Sequence, residues 1–179
     1  MAGVTEPQTS PPVRVRRAGR QDAAAIAAVH VAGWEGAYRG MIPDAAFEPR
    51  TIERRTAMWV QLLGGRGDPV NGRPPWVAVA QRDATTIGFV SLGEARGHVV
   101  EITALYVDPG SWRHGAGTAL MKAALAEATA RRCPDVTLWV LEPNLRARAF
   151  YERCGFTDDG GRRSAGEGWP VELRLRRAP

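Results

Sequence analysis

Three observations predict a single α/β domain carrying a mixed, mostly antiparallel sheet of about seven strands with helices on both faces. The chain has 179 residues, within the range of one domain. It is 44% hydrophobic and 24% charged, a globular composition able to bury roughly 70% of the unfolded chain's surface without metal or disulfide. Its apolar pattern also changes period along the chain, in the order strand, two helices, three strands, helix, strand, helix, two strands. No repeat of 20 to 50 residues interrupts that order.

Residues 1–12 hold Pro7, Ser10, Pro11 and Pro12 and read as a flexible tail, leaving 13–179 as the domain. Val13-Arg14-Val15-Arg16 alternates apolar with basic, as a half-buried strand does. Asp22 stands where it can cap a helix through Ala23 to Val29, with Ile26, Val29 and Trp34 on one side. Gly33, Gly36, Gly40 and Pro43 then predict a loop, followed by a helix from about Thr51 to Leu63. After a Gly/Pro-rich stretch, Trp76–Ala80, Thr86–Val90 and Val99–Val107 are β-branched or aromatic runs parted by turn residues and predict an antiparallel meander. Thr118 to Arg132 reads as a helix, Val136 to Val140 as a strand and Asn144 to Arg153 as a helix. Phe156 onward reads as two closing strands ending at Val171–Leu175.

Cys133 and Cys154 are too few for a disulfide scaffold and lack C-x-x-C spacing, so reduced thiols in a cytoplasmic protein are expected. No run approaches ~18 apolar residues, and Met1 to Pro7 has neither the basic nor the apolar part of a signal peptide. The net charge of +5 raises the possibility of a nucleic-acid partner. Against it, Lys122 is the single lysine, the arginines are scattered among acids, and blocks of five like charges are missing. A solvated cationic surface suited to a small anionic ligand fits better.

The strongest chemical signal runs from Val107-Asp108-Pro109 through Ser111-Trp112-Arg113-His114-Gly115-Ala116-Gly117-Thr118, between a strand and a helix. Gly115 and Gly117 permit close backbone approach, and the helix start carries amides without internal partners. Such an end attracts phosphate, with Arg113 and His114 as added cations. A Walker loop is excluded because G-K-[ST] is missing. A dinucleotide fingerprint is excluded because Leu120 stands where its third glycine belongs. Taken alone, the glycines also allow a plain glycine-capped loop.

In context the chain resembles the GNAT superfamily of N-acetyltransferases over nearly its whole length. Val107, Pro109, Gly115 and Gly117 fit that family's V-x-P strand end and [QR]-x-x-G-x-[GA] loop, with Trp112 in place of the usual Gln or Arg. Leu138 to Phe156, containing Asn144, Ala147, Tyr151, Gly155 and Phe156, is similar to its second block, V-x-x-x-N-x-x-A-x-x-x-Y-x-x-x-G-F. Val31 to Pro43 is also similar to small bacterial members. The resemblance implies acetyl-coenzyme A, with its pyrophosphate on the amides from Trp112 to Thr118. Trp112 would contribute largely its backbone amide. The pantetheine arm would lie beside Leu105, Tyr106 and Val107 like an added strand, with Asn144 bonding it from the other side. Such an arm requires the fourth and fifth strands to splay apart.

Acetyl transfer to an amine poses two proton problems. An amine of pKa ~10.4 is protonated at pH 7, a deficit of ~4.6 kcal/mol, and the departing thiolate needs a proton. The resemblance implies Tyr151 as the acid. Seven residues after Asn144, it falls two helical turns along the same face; a core tyrosine packing the helix on the sheet is the plainer, less favoured alternative. The implied base is Glu101, eleven positions before Trp112, where several relatives carry a glutamate base. Strand alternation puts it on the side of Leu105 and Val107, ~13 Å from Leu105, so it would act through water. A solvated strand glutamate is the plain alternative, and Glu35 and Glu94 are rival bases.

His30 and His98 lack partners at metal-ligand spacing and read as surface or half-buried histidines. The cysteines have no neighbouring histidine, and direct transfer needs no acyl-cysteine. Arg162-Arg163 and Arg174 to Arg177 read as solvated strand faces. The expected protein is thus a monomeric or homodimeric acetyltransferase taking acetyl-coenzyme A and an amine. The alternative is a non-catalytic acyl-coenzyme A-binding module. The acceptor would sit between Trp34–Pro43 and the turn at Gly93–Gly97, in a pocket with Tyr38 and Trp59. Its surroundings, Glu35, Asp44, Glu48 and Glu53 against Arg39, Arg50, Arg54, Arg55 and Arg66, are mildly positive. That balance suits a small amine carrying a carboxylate or apolar group, or a peptide N-terminus.

Overall fold

A computed structural model describes residues 11–65, 74–94, 99–164 and 167–179. The expected order of elements is present. Strand β1 (Arg14–Arg17) precedes helices α1 (Ala23–Tyr38) and α2 (Ile52–Leu63). The meander is β2 (Trp76–Arg82), β3 (Thr85–Glu94) and β4 (Val100–Val107). Next come α3 (Ala116–Ala130), β5 (Val136–Leu141), α4 (Leu145–Arg153), β6 (Thr157–Ser164) and β7 (Val171–Arg177). The seven strands form one sheet in the order β1-β2-β3-β4-β5-β7-β6. Every neighbouring pair is antiparallel except β4 with β5.

Strand β2 shows why helices cover both faces. Val77 and Val79 pack with Phe89 and Trp59 against α1, while Ala78 and Ala80 join Val90, Leu120 and Ala124 under α3. A strand buried on both sides reads as a continuous apolar run rather than an alternating one. Each large side chain closed off in these layers contributes roughly 1.5–3 kcal/mol.

Helix α1 does not stop at Gly33. Cβ atoms at Gly33 and Gly36 would lie 3.0 Å from the Tyr106 ring and 2.9 Å from Pro109 Cγ. The two glycines therefore mark close approach of the helix to β4 and to the loop beyond it, rather than a break. Asp22 does not cap the helix with its side chain. Its carboxylate accepts from the Gly19 amide (2.8 Å) and from both terminal nitrogens of Arg16 (2.8 and 2.7 Å), and these bonds hold its pKa below the usual carboxylate range. Thr51 caps α2, its hydroxyl accepting from the Arg54 amide.

Two irregularities in β4 set the geometry of the sheet's centre. Leu92 pairs with Ile102 and Ser91 with Ala104, so Thr103 is an extra residue, tied by its hydroxyl to Ser91. A bulge of this kind reverses the alternation of side chains beyond it. Ile102, Leu105 and Val107 consequently pack on the α3 side, and Ala104 and Tyr106 on the α1 side. Glu101 shares the side of Ala104 and Tyr106, which corrects the expectation that it sides with Leu105 and Val107. The second irregularity is that β4 pairs with β5 only at Val100, Glu101 and Ile102. Beyond Ile102 the strands part, as an added-strand arm requires, while β5 continues its pairing with β7 to Leu141.

Candidate active site

The loop from β4 to α3 is shaped by two left-handed residues, Arg113 (φ 66°) and Gly115 (φ 83°). Alternation of such residues turns successive amides toward one concavity that suits an anion. Among the described residues, the amides of Arg113, His114, Gly115, Ala116, Gly117 and Thr118 have no acceptor, and the first amide of α3 to find one is that of Ala119. A Cβ on Gly115 would meet nothing within 4 Å, so the space before the helix is open. Free amides, open space and a helix N-terminus together fit a pyrophosphate.

Trp112 is used differently from expectation. Its backbone amide donates to the Pro109 carbonyl (3.3 Å), and its indole N–H donates to the Val107 carbonyl (2.8 Å). The side chain thus pins the loop to the end of β4. Arg146, from α4, lies 3.6 Å over the Trp112 ring and donates to the Gly36 carbonyl, joining loop, α4 and α1. Arg82, at the end of β2, donates to the His114 carbonyl (3.4 Å). That cation reaches the loop from a distant strand, with no local motif to announce it.

Asn144 is 3% exposed and caps α4, its side-chain oxygen accepting from the Ala147 amide (3.2 Å). Its NH2 group donates to no acceptor among the described residues. Tyr151, two turns on, opens into a cavity of about 230 Å³ at the parting of β4 and β5. The other walls are Glu101 to Tyr106 of β4, Trp139 and Leu141 of β5, Trp34 and Tyr38 of α1, and Arg163, Trp169 and Glu172. Leu105 and Tyr106 therefore line the cavity, and Val107 does not.

Three tyrosines meet there. Tyr38, Tyr106 and Tyr151 lie close enough together for their ionisations to be linked. Burial pushes the Tyr151 hydroxyl far above its ordinary value, so it keeps its proton at every working pH. Burial also raises the Glu101 carboxyl, against the opposing pull of Arg163 and of the neighbouring Trp139 indole. Arg163 lies 4.2 Å over the Trp139 ring and bonds Glu172 at 2.5 Å; its side chain is 48% exposed, so the strand face is solvated as expected and Arg163 also walls the cavity. Arg174 and Arg162 are likewise ion-paired, to Asp159 and Asp158.

His30 is 7% exposed, not a surface residue. Its Nδ1 accepts from the Trp59 indole (3.3 Å), and its ring stacks on Tyr106 with centroids 4.9 Å apart. Burial, with Arg55 and Arg50 nearby, lowers its pKa to about 3, so it is a neutral support beneath Tyr106. Trp59 is 3% exposed and belongs to that support rather than to the cavity wall. Glu35 faces Arg39 at 3.6 Å on an exposed surface, and Glu94 lines a different cavity with Cys133. Gly97 and His98 lie outside the described residues. No group of His, Cys, Asp or Glu among the described residues is arranged to hold a metal, and no described helix is long and apolar enough to cross a membrane.

Sequence reasoning missed Trp139, Arg163, Trp169, Glu172 and Arg82. Trp139 could have been found, because it has the opposite strand parity to the buried Leu138 and Val140. The others arrive by tertiary packing.

Residues 38–156 match the model of the acetyltransferase (GNAT) family. Over 152 residues the chain is 30% identical to "Probable N-acetyltransferase Rv2775" of Mycobacterium tuberculosis, covering 83% of this chain and 82% of that protein. Its fold is similar to that of the PaiA N-acetyltransferase of Thermoplasma acidophilum, solved in complex with coenzyme A. That likeness has a TM-score of 0.74 at 17% identity over 94% of this chain and 99% of that one. The ribosomal-protein-S18-alanine N-acetyltransferase of Escherichia coli gives a TM-score of 0.66 at 18% identity, over 93% and 94%. Together with the amide-lined loop and the parted strands, the family match identifies the chain as a member of the GNAT acetyltransferases, acyltransferases whose co-substrate is acetyl-coenzyme A.

Proposed function

We propose that this chain acetylates the amine of a small molecule or peptide by direct transfer within a ternary complex, in the cavity where β4 and β5 part. The observation that carries this reading is the opening of Tyr151 and Glu101, from two different elements, into one cavity. Acetyl-coenzyme A supplies an activated acetyl thioester. The amides of Arg113 to Thr118 and the side chains of Arg113, His114 and Arg82 would hold its pyrophosphate, with Trp112 bracing the loop through its indole. The exposed edge of Leu105, Tyr106 and Val107 and the NH2 of Asn144 would hold its arm. The Val107 carbonyl is already taken by Trp112, leaving Leu105 and Tyr106 the larger share.

Glu101 acts as the general base. The raised pKa of its carboxyl strengthens it as a proton acceptor, and it draws the proton from the amine through water. Tyr151 acts as the general acid, donating its hydroxyl proton toward the leaving sulfur. Direct transfer is favoured over an acyl-cysteine because neither cysteine lines the cavity and burial pushes both thiols up, away from the reactive thiolate. An acceptor screen following thiol release from acetyl-coenzyme A tests the proposal. Release that depends on an amine, with wild type and not with Tyr151→Phe, is expected. Thiol release indifferent to amines would overturn it.

A further inference from the structure

Arg146 stands at the wrong end of its own helix. It is the second residue of α4, where the helix dipole opposes a cation, and no carboxylate pairs with it among the described residues. Its partners come from two other elements. The guanidinium lies 3.6 Å over the Trp112 ring, and one terminal nitrogen donates to the Gly36 carbonyl (3.3 Å). That carbonyl is among the last four of α1, which a helix leaves without a backbone partner, and no described amide beyond the helix donates to it. A cation misplaced on α4 thus caps the negative end of α1.

Trp112 is held from three directions. Its indole N–H donates to the Val107 carbonyl (2.8 Å). A Cβ on Gly36 would lie 3.0 Å from its Cη2, so α1 closes on the edge of the ring. Arg146 covers one face. The residue that follows, Arg113, is left-handed at φ 66°, a conformation that residues other than glycine rarely keep unless their surroundings impose it. Arg113 and Gly115 are the two residues whose left-handed backbone turns the loop amides toward one concavity. A ring fixed at position 112 therefore fixes the start of that turn.

Resting on the reading that those amides hold the pyrophosphate, we infer that Arg146 is a positioning residue for coenzyme A, acting through Trp112 to keep the β4–α3 loop in its anion-binding form. It needs no contact with the ligand, and its effect is confined to ligands that reach the loop.

The test compares coenzyme A, titrated by calorimetry, with pantetheine, which lacks the pyrophosphate, titrated by NMR. The proteins are wild type, Arg146→Met, Arg146→Lys, Trp112→Leu and the Arg146→Met, Trp112→Leu double variant, with folding followed by circular dichroism. Arg146→Met is expected to weaken coenzyme A about tenfold or more and to leave pantetheine within about twofold of wild type. Arg146→Lys, which keeps a cation over the ring, should recover part of that loss. Added to Trp112→Leu, Arg146→Met should weaken coenzyme A by less than about threefold further, because the contact it removes is already gone. A full loss in that background would make Arg146 a direct contact of the ligand and overturn the inference, as would an equal loss for both ligands. Wild type binding pantetheine as tightly as coenzyme A would sink the pyrophosphate reading, and the inference with it. A wild-type preference for coenzyme A that Arg146→Met keeps in full sinks the Arg146 assignment alone.

Discussion

At Glu101, burial raises the carboxyl while Arg163 and Trp139 restrain the rise. The rate of a reaction using it as base should therefore climb with pH through a midpoint above the ordinary value of 4.5. Glu101→Gln should remove that limb and lower kcat by ~10²-fold or more, as pH–rate profiles of both proteins would show. His30 behaves oppositely. The unfolded chain binds a proton near pH 6.5, whereas the folded protein refuses it until about pH 3. Stability is thus complete above pH 6.5 and falls as pH drops through that window, by about 1.4 kcal/mol per unit. Thermal melts should show a fall in Tm from pH 7 to pH 5 that His30→Phe flattens. An equal fall in both proteins would assign the acid sensitivity elsewhere. Neither environment is legible in the sequence, since a lone histidine in an Ala-rich helix carries no mark of the Tyr106 and Trp59 rings packed around it.

Among the elements, the β4–α3 loop is the most legible, because its glycines and the strand end before it are local requirements of the backbone. The role of Trp112 is not, since a tryptophan bonding back to Val107 depends on a fold of the loop that spacing alone does not reveal. Helix α1 misleads for a related reason. Glycines that weaken an isolated helix predict breaks, whereas tertiary approach to Tyr106 and Pro109 explains them. Two substitutions test these elements. Gly115→Asp puts a carboxylate into the open anion site, at a left-handed residue, and should abolish coenzyme A binding by calorimetry while the chain stays folded. Gly36→Val should push against Pro109 and Trp112 and weaken coenzyme A binding about tenfold or more, although residue 36 lies on another element. Unchanged affinity in Gly36→Val would show that α1 does not brace the loop.

Over the whole molecule, the parting of β4 and β5 beyond Ile102 opens a cavity in the middle of an ordinary α/β sandwich. The order of elements is readable from periodicity, whereas the need for parted strands comes from the family resemblance and the ligand arm it implies. The Thr103 bulge is not readable, because one extra residue in a β-branched run leaves the composition of the strand unchanged. It puts Glu101 on the side of Ala104 and Tyr106, opposite Leu105 and Val107, and among the walls of the cavity that Tyr151 also lines. The central claim, that the parting of β4 and β5 is where acetyl transfer occurs, is tested most directly at Tyr151. Steady-state thiol release by Tyr151→Phe with a responsive amine, beside calorimetry with coenzyme A, should show kcat lowered ~10²-fold or more and coenzyme A affinity within about twofold of wild type. Wild-type turnover in the variant would contradict the account.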